Sequence, residues 1–387
     1  MKTISYSRQN ITKSDIDSVI EVLKGDLITQ GKYIELFENN LKRKFNAKYC
    51  SVVSSGTAAL HLAGNVLKWK KNDIIITSPI TFLASSNSIL YSNSTPIFVD
   101  IDQKTYTIDC NKLEDKIKFL RKKNLSIKTV IGVDYAGHPC DWISLKYLSN
   151  KYKFYLINDN CHALGAEYKN DKFYASKYAD LVIQSFHAVK NITTGEGGAI
   201  ITNNKKMDMA IKILRSHGIK KRKSDQKKYG NWFYSMEKLG FNYRLTDFQA
   251  ALGNNQLLRL KTIINKKKLI AIKYNKFFLK HKDFKIPFVD KNCKHAYHLY
   301  PLQFDFEKNK INKKLFFQHM IKNKIFLQVH YIPIYRQAFY KKLFNQRSIS
   351  FPIAEKFYKN VFSLPIYSEL KENEVRYVIK KMMEFIK

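Results

Sequence analysis

Covalent chemistry is first suggested by Lys190, in Ser185-Phe-His-Ala-Val-Lys-Asn-Ile-Thr-Thr-Gly-Glu-Gly-Gly198; three of the chain's 14 glycines fall between 195 and 198. A lysine beside a strand end, away from a charged face, can lose its proton and act as a Schiff-base nucleophile. No Gly-Lys-Ser/Thr closes the run, so it is not a P-loop. Asp159 ends an apolar stretch, with His162 three residues on, and a buried strand-end carboxylate needs a cation or a hydrogen-bond donor. In Ser54-Ser-Gly-Thr-Ala58 a strand turns into a helix. Small residues there let backbone N–H groups approach an anion, which the helix start favours. Gly240-Phe-Asn-Tyr-Arg-Leu-Thr-Asp247 precedes a long helical pattern. Each has a plainer reading alone: one lysine among many, a turn-forming Asp, a capped Gly turn, a helix cap.

These groups can meet only if their strand ends reach one edge of a sheet. Short β-rich runs at 50–54, 74–77, 96–100, 129–133, 154–157, 181–186 and 198–202 alternate with helical spacing at 57–69, 81–91, 112–121 and 143–152. That alternation predicts an α/β fold with a mostly parallel sheet, whose ligands sit beyond the carboxyl ends of the strands. A basic, poorly patterned stretch covers 220–229. A long helix then starts near 245 with Thr246 as N-cap. A smaller C-terminal α+β domain should follow, giving a division at 1–250 and 251–387.

Composition narrows the function classes. The 387 residues, 45% hydrophobic and 14% aromatic, can bury a substantial core and exclude general disorder. The net charge of +36 raises nucleic acid and membrane surfaces as partners. The basic runs at 42–44, 121–123, 220–223 and 266–268 are scattered, however, with neither aromatic interleaving nor zinc-finger spacing. They read as dispersed solvated surface, which leaves an anionic small substrate open. Five cysteines, odd in number and without a C-x-x-C pair, point to a reducing compartment. The first residues lack the apolar core of a signal peptide, and the uncharged stretch 74–99 carries Pro79 and Pro96. A soluble cytoplasmic protein is expected, with neither nucleic acid nor membrane as partner. His295 and His298 could be taken for a metal pair, but Tyr and Leu between them favour the start of a strand or helix, and no metal is assigned.

One cofactor unites the four elements. Pyridoxal phosphate needs a phosphate cradle, a carboxylate at its pyridine nitrogen, an apolar stacking partner and a Schiff-base lysine. Ser-Gly-Thr, Asp159, Phe82 (in Pro79-Ile-Thr-Phe-Leu-Ala84) and Lys190 meet those needs. Over nearly its whole length the chain resembles the sugar-nucleotide aminotransferases of the aspartate-aminotransferase-like fold, type I. The likeness rests on Leu27-Ile-Thr-Gln-Gly31, Ser55-Gly-Thr-Ala-Ala-Leu60, Asp159-x-x-His162-Ala-Leu-Gly-Ala166, the Lys190 segment and Gly240-Phe-Asn-Tyr-Arg244. Related sugar dehydratases carry His at the position of Lys190. Tyr6-Ser-Arg-Gln9, Val133-Asp-Tyr-Ala-Gly137 and Gln328-Val-His-Tyr-Ile-Pro-Ile-Tyr335 are similar to the 4-aminotransferases of pseudaminic acid biosynthesis. Asn160-Cys161 departs from the small pair usual after the Asp, without removing a required group.

The resemblance implies a role for each residue. Lys190 would hold pyridoxal 5'-phosphate as a Schiff base and move the proton, with pyridoxamine phosphate as the amino-bearing form. Asp159 would keep the ring nitrogen protonated, Phe82 would stack on the ring, and His162 would contact the ring or its 3′-oxygen. Gly56, Thr57 and Ser185 would hold the phosphate, and Asn242 would reach it from a neighbouring subunit of a homodimer. Tyr6, Asp26, Leu27, Ile28 and Thr29, with Gln328, Val329, His330 and Tyr331, would line the sugar-nucleotide pocket; Gly56, Ser185 and Asn242 would also touch substrate. L-Glutamate would donate the amino group to C4 of a UDP-linked 4-keto-6-deoxy-N-acetyl sugar. Two other readings remain at this point. One is the same chemistry on another nucleotide 4-keto sugar, such as the bacillosamine precursor. The other is a non-catalytic polyanion-binding or regulatory protein on this fold.

Overall fold

The computed structural model describes residues 3–344 and 351–386. At its centre is a seven-stranded sheet of β1 (Tyr49–Val53), β2 (Ile74–Thr77), β3 (Thr95–Phe98), β4 (Ile127–Val133), β5 (Tyr155–Asp159), β6 (Leu181–Ser185) and β7 (Gly198–Thr202). The spatial order is β1-β7-β6-β5-β4-β2-β3. Only β7 runs antiparallel to its neighbours. The predicted α/β class with a mostly parallel sheet is what the structure contains. Its strands are short continuous apolar runs because helices cover both faces. One face packs on a core that includes Trp142, Leu145 and Phe186, the other on one that includes Leu60, Ala63 and Ile211.

The expected strands coincide with β1 to β7 to within a few residues. Helix α1 (Gly56–Val66) and helix α2 (Leu83–Tyr91) follow β1 and β2 as the spacing predicts. The stretch 220–229, unpatterned by its sequence, contains the helix Lys223–Tyr229. Strands Ile219–Lys220 and Ser235–Met236 pair antiparallel around that helix.

Thr246 caps helix α3 (Asp247–Leu258), with Gln249 completing a capping box. The chain then turns at Arg259 into helix α4 (Leu260–Phe278). The first turns of α4 put Leu260 and Ile263 into the core of the large sheet. Its later turns put Ile270, Ala271, Tyr274 and Phe278 into a separate core, built on the antiparallel sheet of β8 (Phe284–Lys285), β9 (Tyr300–Phe304) and β10 (Val361–Leu364). The N-terminal pair Ile4–Ser5 joins that half of the molecule by pairing with Ile325–Phe326. All five cysteines are free. No helix among the described residues is long and apolar enough to cross a membrane.

Candidate active site

The carboxyl ends of β1, β5 and β6 open onto a cavity of about 590 Å³. Ser55 is the N-cap of α1, and its Oγ accepts the Ala58 amide at 3.0 Å. The amides of Gly56 and Thr57 precede the first intrahelical bonds, so this end of α1 suits an anion. The absence of side chains makes the approach possible. A Cβ on Gly56 would meet Ser185 Cβ at 2.9 Å, and one on Gly198 would meet the Ser55 carbonyl at 2.5 Å.

Asp159 ends β5, 6% exposed, and Oδ2 accepts the Ser85 hydroxyl from α2 at 2.7 Å. The Cys161 amide reaches Oδ1 at 3.4 Å. Lys190 follows β6 in a turn closed by its amide on the His187 carbonyl, 2.9 Å. Burial pushes its amine below the ordinary lysine value, while nearby Cys161 and Asp159 act in the opposite direction. His162 is buried; its Nδ1 accepts the Ala136 amide at 3.3 Å, and Nε2 pairs with the Tyr331 hydroxyl at 3.1 Å. Those partners fix the tautomer with the proton on Nε2. Burial, reinforced by the Lys190 charge, holds this imidazole well below its usual value and therefore neutral.

The opposite wall is the segment with Gln328, Val329, His330 and Tyr331. His330 Nδ1 pairs with Ser363 Oγ at 2.8 Å, and its carbonyl accepts the Tyr135 hydroxyl. Tyr6 packs on the His330 ring at 5.0 Å between centroids, and Phe82 faces Tyr331 at 6.0 Å.

One cavity therefore collects Tyr6, Gly56, Thr57, Phe82, Asp159, His162, Ser185, Lys190, Gln328, Val329, His330 and Tyr331. It does not collect Asn242 or Asp26, Leu27, Ile28 and Thr29. Asn242 is exposed and bridges to Ser216, while Thr29 bridges to Thr246 and Leu27 and Ile28 face outward. The cavity also takes in Ser85, Thr81 and His298, for which the sequence implies no site role. Ser85 and Thr81 share a 2.8 Å hydrogen bond beneath Asp159. The His298 ring packs tilted against that of His162, 4.3 Å between centroids, and its Nδ1 is buried without a partner. His298 and His295 precede β9 in irregular backbone, neither in a strand nor at a helix start. His187 braces the lysine turn: it is half-exposed and 3.9 Å from Glu196. Cys161 also lines the cavity.

The sequence profile of the DegT/DnrJ/EryC1/StrS aminotransferase family matches residues 9–383. The chain belongs to that family. A Campylobacter jejuni protein named UDP-4-amino-4,6-dideoxy-N-acetyl-beta-L-altrosamine transaminase is 39% identical over 375 residues, 97% of this chain and 95% of its own. The structure of Helicobacter pylori PseC, an aminotransferase of pseudaminic acid biosynthesis, superposes with a TM-score of 0.90 at 33% identity, covering 100% of this chain and 99% of that one. A putative sugar aminotransferase, Spr1654 from Streptococcus pneumoniae, in its pyridoxal-phosphate form gives 0.88 at 27% identity over 99% and 98%. This aminotransferase is accordingly a pyridoxal-phosphate enzyme, and its residues fit that cofactor. A side-chain-free cradle lies at a helix start, with a carboxylate oriented by Ser85 and a lysine whose burial favours its free amine.

Proposed function

We propose that this aminotransferase moves the amino group of L-glutamate to C4 of UDP-2-acetamido-2,6-dideoxy-β-L-arabino-hex-4-ulose, in pseudaminic acid biosynthesis. The supporting observation is full-length likeness to proteins named for that reaction and pathway, in a chain whose cavity gathers Lys190, Asp159 and the wall 328–331. Pyridoxal phosphate, when bound, supplies the electron sink that makes the proton on the amino-bearing carbon removable. In this reading Gly56, Thr57 and Ser185 hold its phosphate, Asp159 accepts the ring N–H, and Phe82 covers one ring face. Lys190 Nζ would take the proton from the amino-bearing carbon of the donor and deliver it to the cofactor carbon that had carried the aldehyde. Its burial favours the free amine that such a base requires. Neutral His162 donates through Nε2 toward the cavity, and Tyr331 shares that proton.

The reading extends to a cytoplasmic homodimer in which Asn242 and Asp26 to Thr29, remote from their own cavity, complete the cavity of the second copy. The cofactor-holding part is 1–250, with the N-terminal pair Ile4–Ser5 reaching across to the smaller part, 251–387. Assaying glutamate-dependent amination of the L-arabino ketosugar beside its D-configured counterpart tests the substrate. Preference for the L-arabino acceptor is expected; exclusive use of the D-configured one would overturn the assignment.

A further inference from the structure

The basic run 266–268, read as solvated surface, is not uniform. Lys266 and Lys268 face outward, but Lys267 lies on the apolar stripe of α4 between Ile263 and Ile270 and is 3% exposed. Its Nζ donates to Asn191 Oδ1 at 2.9 Å. Among the described residues it forms no ion pair. Asn191 Nδ2 in turn donates to the Leu164 and Ala296 carbonyls, each at 3.3 Å. The residue directly after Lys190 is thus tied to the loop following β5, to the segment before β9, and to α4.

A buried amine with a single hydrogen bond is costly to keep. Burial, with the Lys190 charge adding to it, pushes Lys267 down to about 7. The charged or titratable groups around it are Arg8, Tyr367 and Lys190, which share a small recess with it, and His162, His295 and His298. No carboxylate is among them. Nothing nearby neutralises Lys267, and a leucine or methionine would fill the same place on the stripe.

We propose that Lys267 is a positioning residue for Lys190: through Asn191 it fixes the backbone from which Lys190 projects, and in its protonated form it places positive charge behind that amine. The proposal rests on Lys190 being the cofactor-holding lysine, and not on which sugar accepts the amino group.

The test uses the full chain loaded with pyridoxal phosphate and no substrate. The pH titration of its visible absorbance reads the proton on the Lys190 nitrogen. Protonated Lys267, whose own amine sits at about 7, repels that proton, so Lys267→Met should raise the midpoint by about 0.5 pH unit. Lys267→Arg should bring it back toward wild type. Lys267→Gln, which keeps a donor for Asn191 and drops the charge, should show the raised midpoint too and serves should the Met variant fail to fold. Asn191→Leu tests the tether separately, with an expected fall in kcat of about tenfold at little change in KM. Two coupled residues should give a double variant no worse than the poorer single one. A midpoint unmoved in both Lys267→Met and Lys267→Gln would overturn the proposal, as would fully additive losses in the double variant. A shifted midpoint in an enzyme that aminates no UDP-ketosugar would support this proposal while refuting the substrate assignment.

Discussion

The two walls of the cavity are held in place by different kinds of bond. The wall carrying Gly56, Asp159, Ser185 and Lys190 stands where the strands of one sheet end, and the sheet's backbone ladder sets its spacing. The facing wall, 328–331, is a loop. It hangs on the Ser363 amide donating to the Gln328 carbonyl at 2.7 Å, on the His330–Ser363 pair, and on Tyr135. A ladder of peptide bonds barely changes when a side chain is replaced, whereas a loop held by one backbone bond and otherwise by side chains shifts when one of those side chains is replaced. The first wall suits groups that every turnover needs in the same place, and the second suits recognition of one particular sugar.

That contrast can be broken by substitution. Lys190→Ala should cost the most, about 10³–10⁴-fold in kcat, because it removes the proton-transferring base; turnover within tenfold of wild type would end the assignment. Asp159→Ala leaves the bound ring N–H without its carboxylate acceptor and should lower kcat/KM about 10²-fold, with weaker cofactor retention on dialysis. Gly198→Ala puts a methyl against the Ser55 carbonyl. It should destabilise the fold by about 1–3 kcal/mol, seen as a lower Tm, and loosen the cofactor. Tyr331→Phe, on the loop wall, removes the hydroxyl that pairs with His162. KM for the ketosugar should rise by about tenfold or less with kcat nearly kept. If Tyr331→Phe damaged kcat as severely as Asp159→Ala, the division of labour between the walls would be wrong.

The ladder-held wall was also the legible one. β2 and β7 fall on the expected residues because strands buried on both faces leave short apolar runs bounded by turns. Strand ends then direct attention to Asp159 and Lys190. Ser85 was invisible for the opposite reason: its value lies in a contact with a carboxylate 74 residues away, and nothing in Ala-Ser-Ser-Asn marks it out. His298 likewise matters only through the ring it packs against. Lys267 did leave a signal, a lysine in phase with Ile263, Ile270 and Tyr274. Inside a run of three lysines the charge concealed the phase. The +36 hid more than it revealed, because one cation in that run has a buried place and its neighbours do not.

Helix α4 has a mechanical consequence. It is a single rod of nineteen residues, about 28 Å long, with one end embedded in the large core and the other in the core of the antiparallel sheet. Lys267 sits between those two anchorages. Were the antiparallel half to rock by about 5° around that point, Phe278, about 16 Å further along, would swing by about 1.4 Å while Lys267 hardly moved. The amine behind Lys190 therefore lies at the point of the rod where displacement of the antiparallel half is felt least.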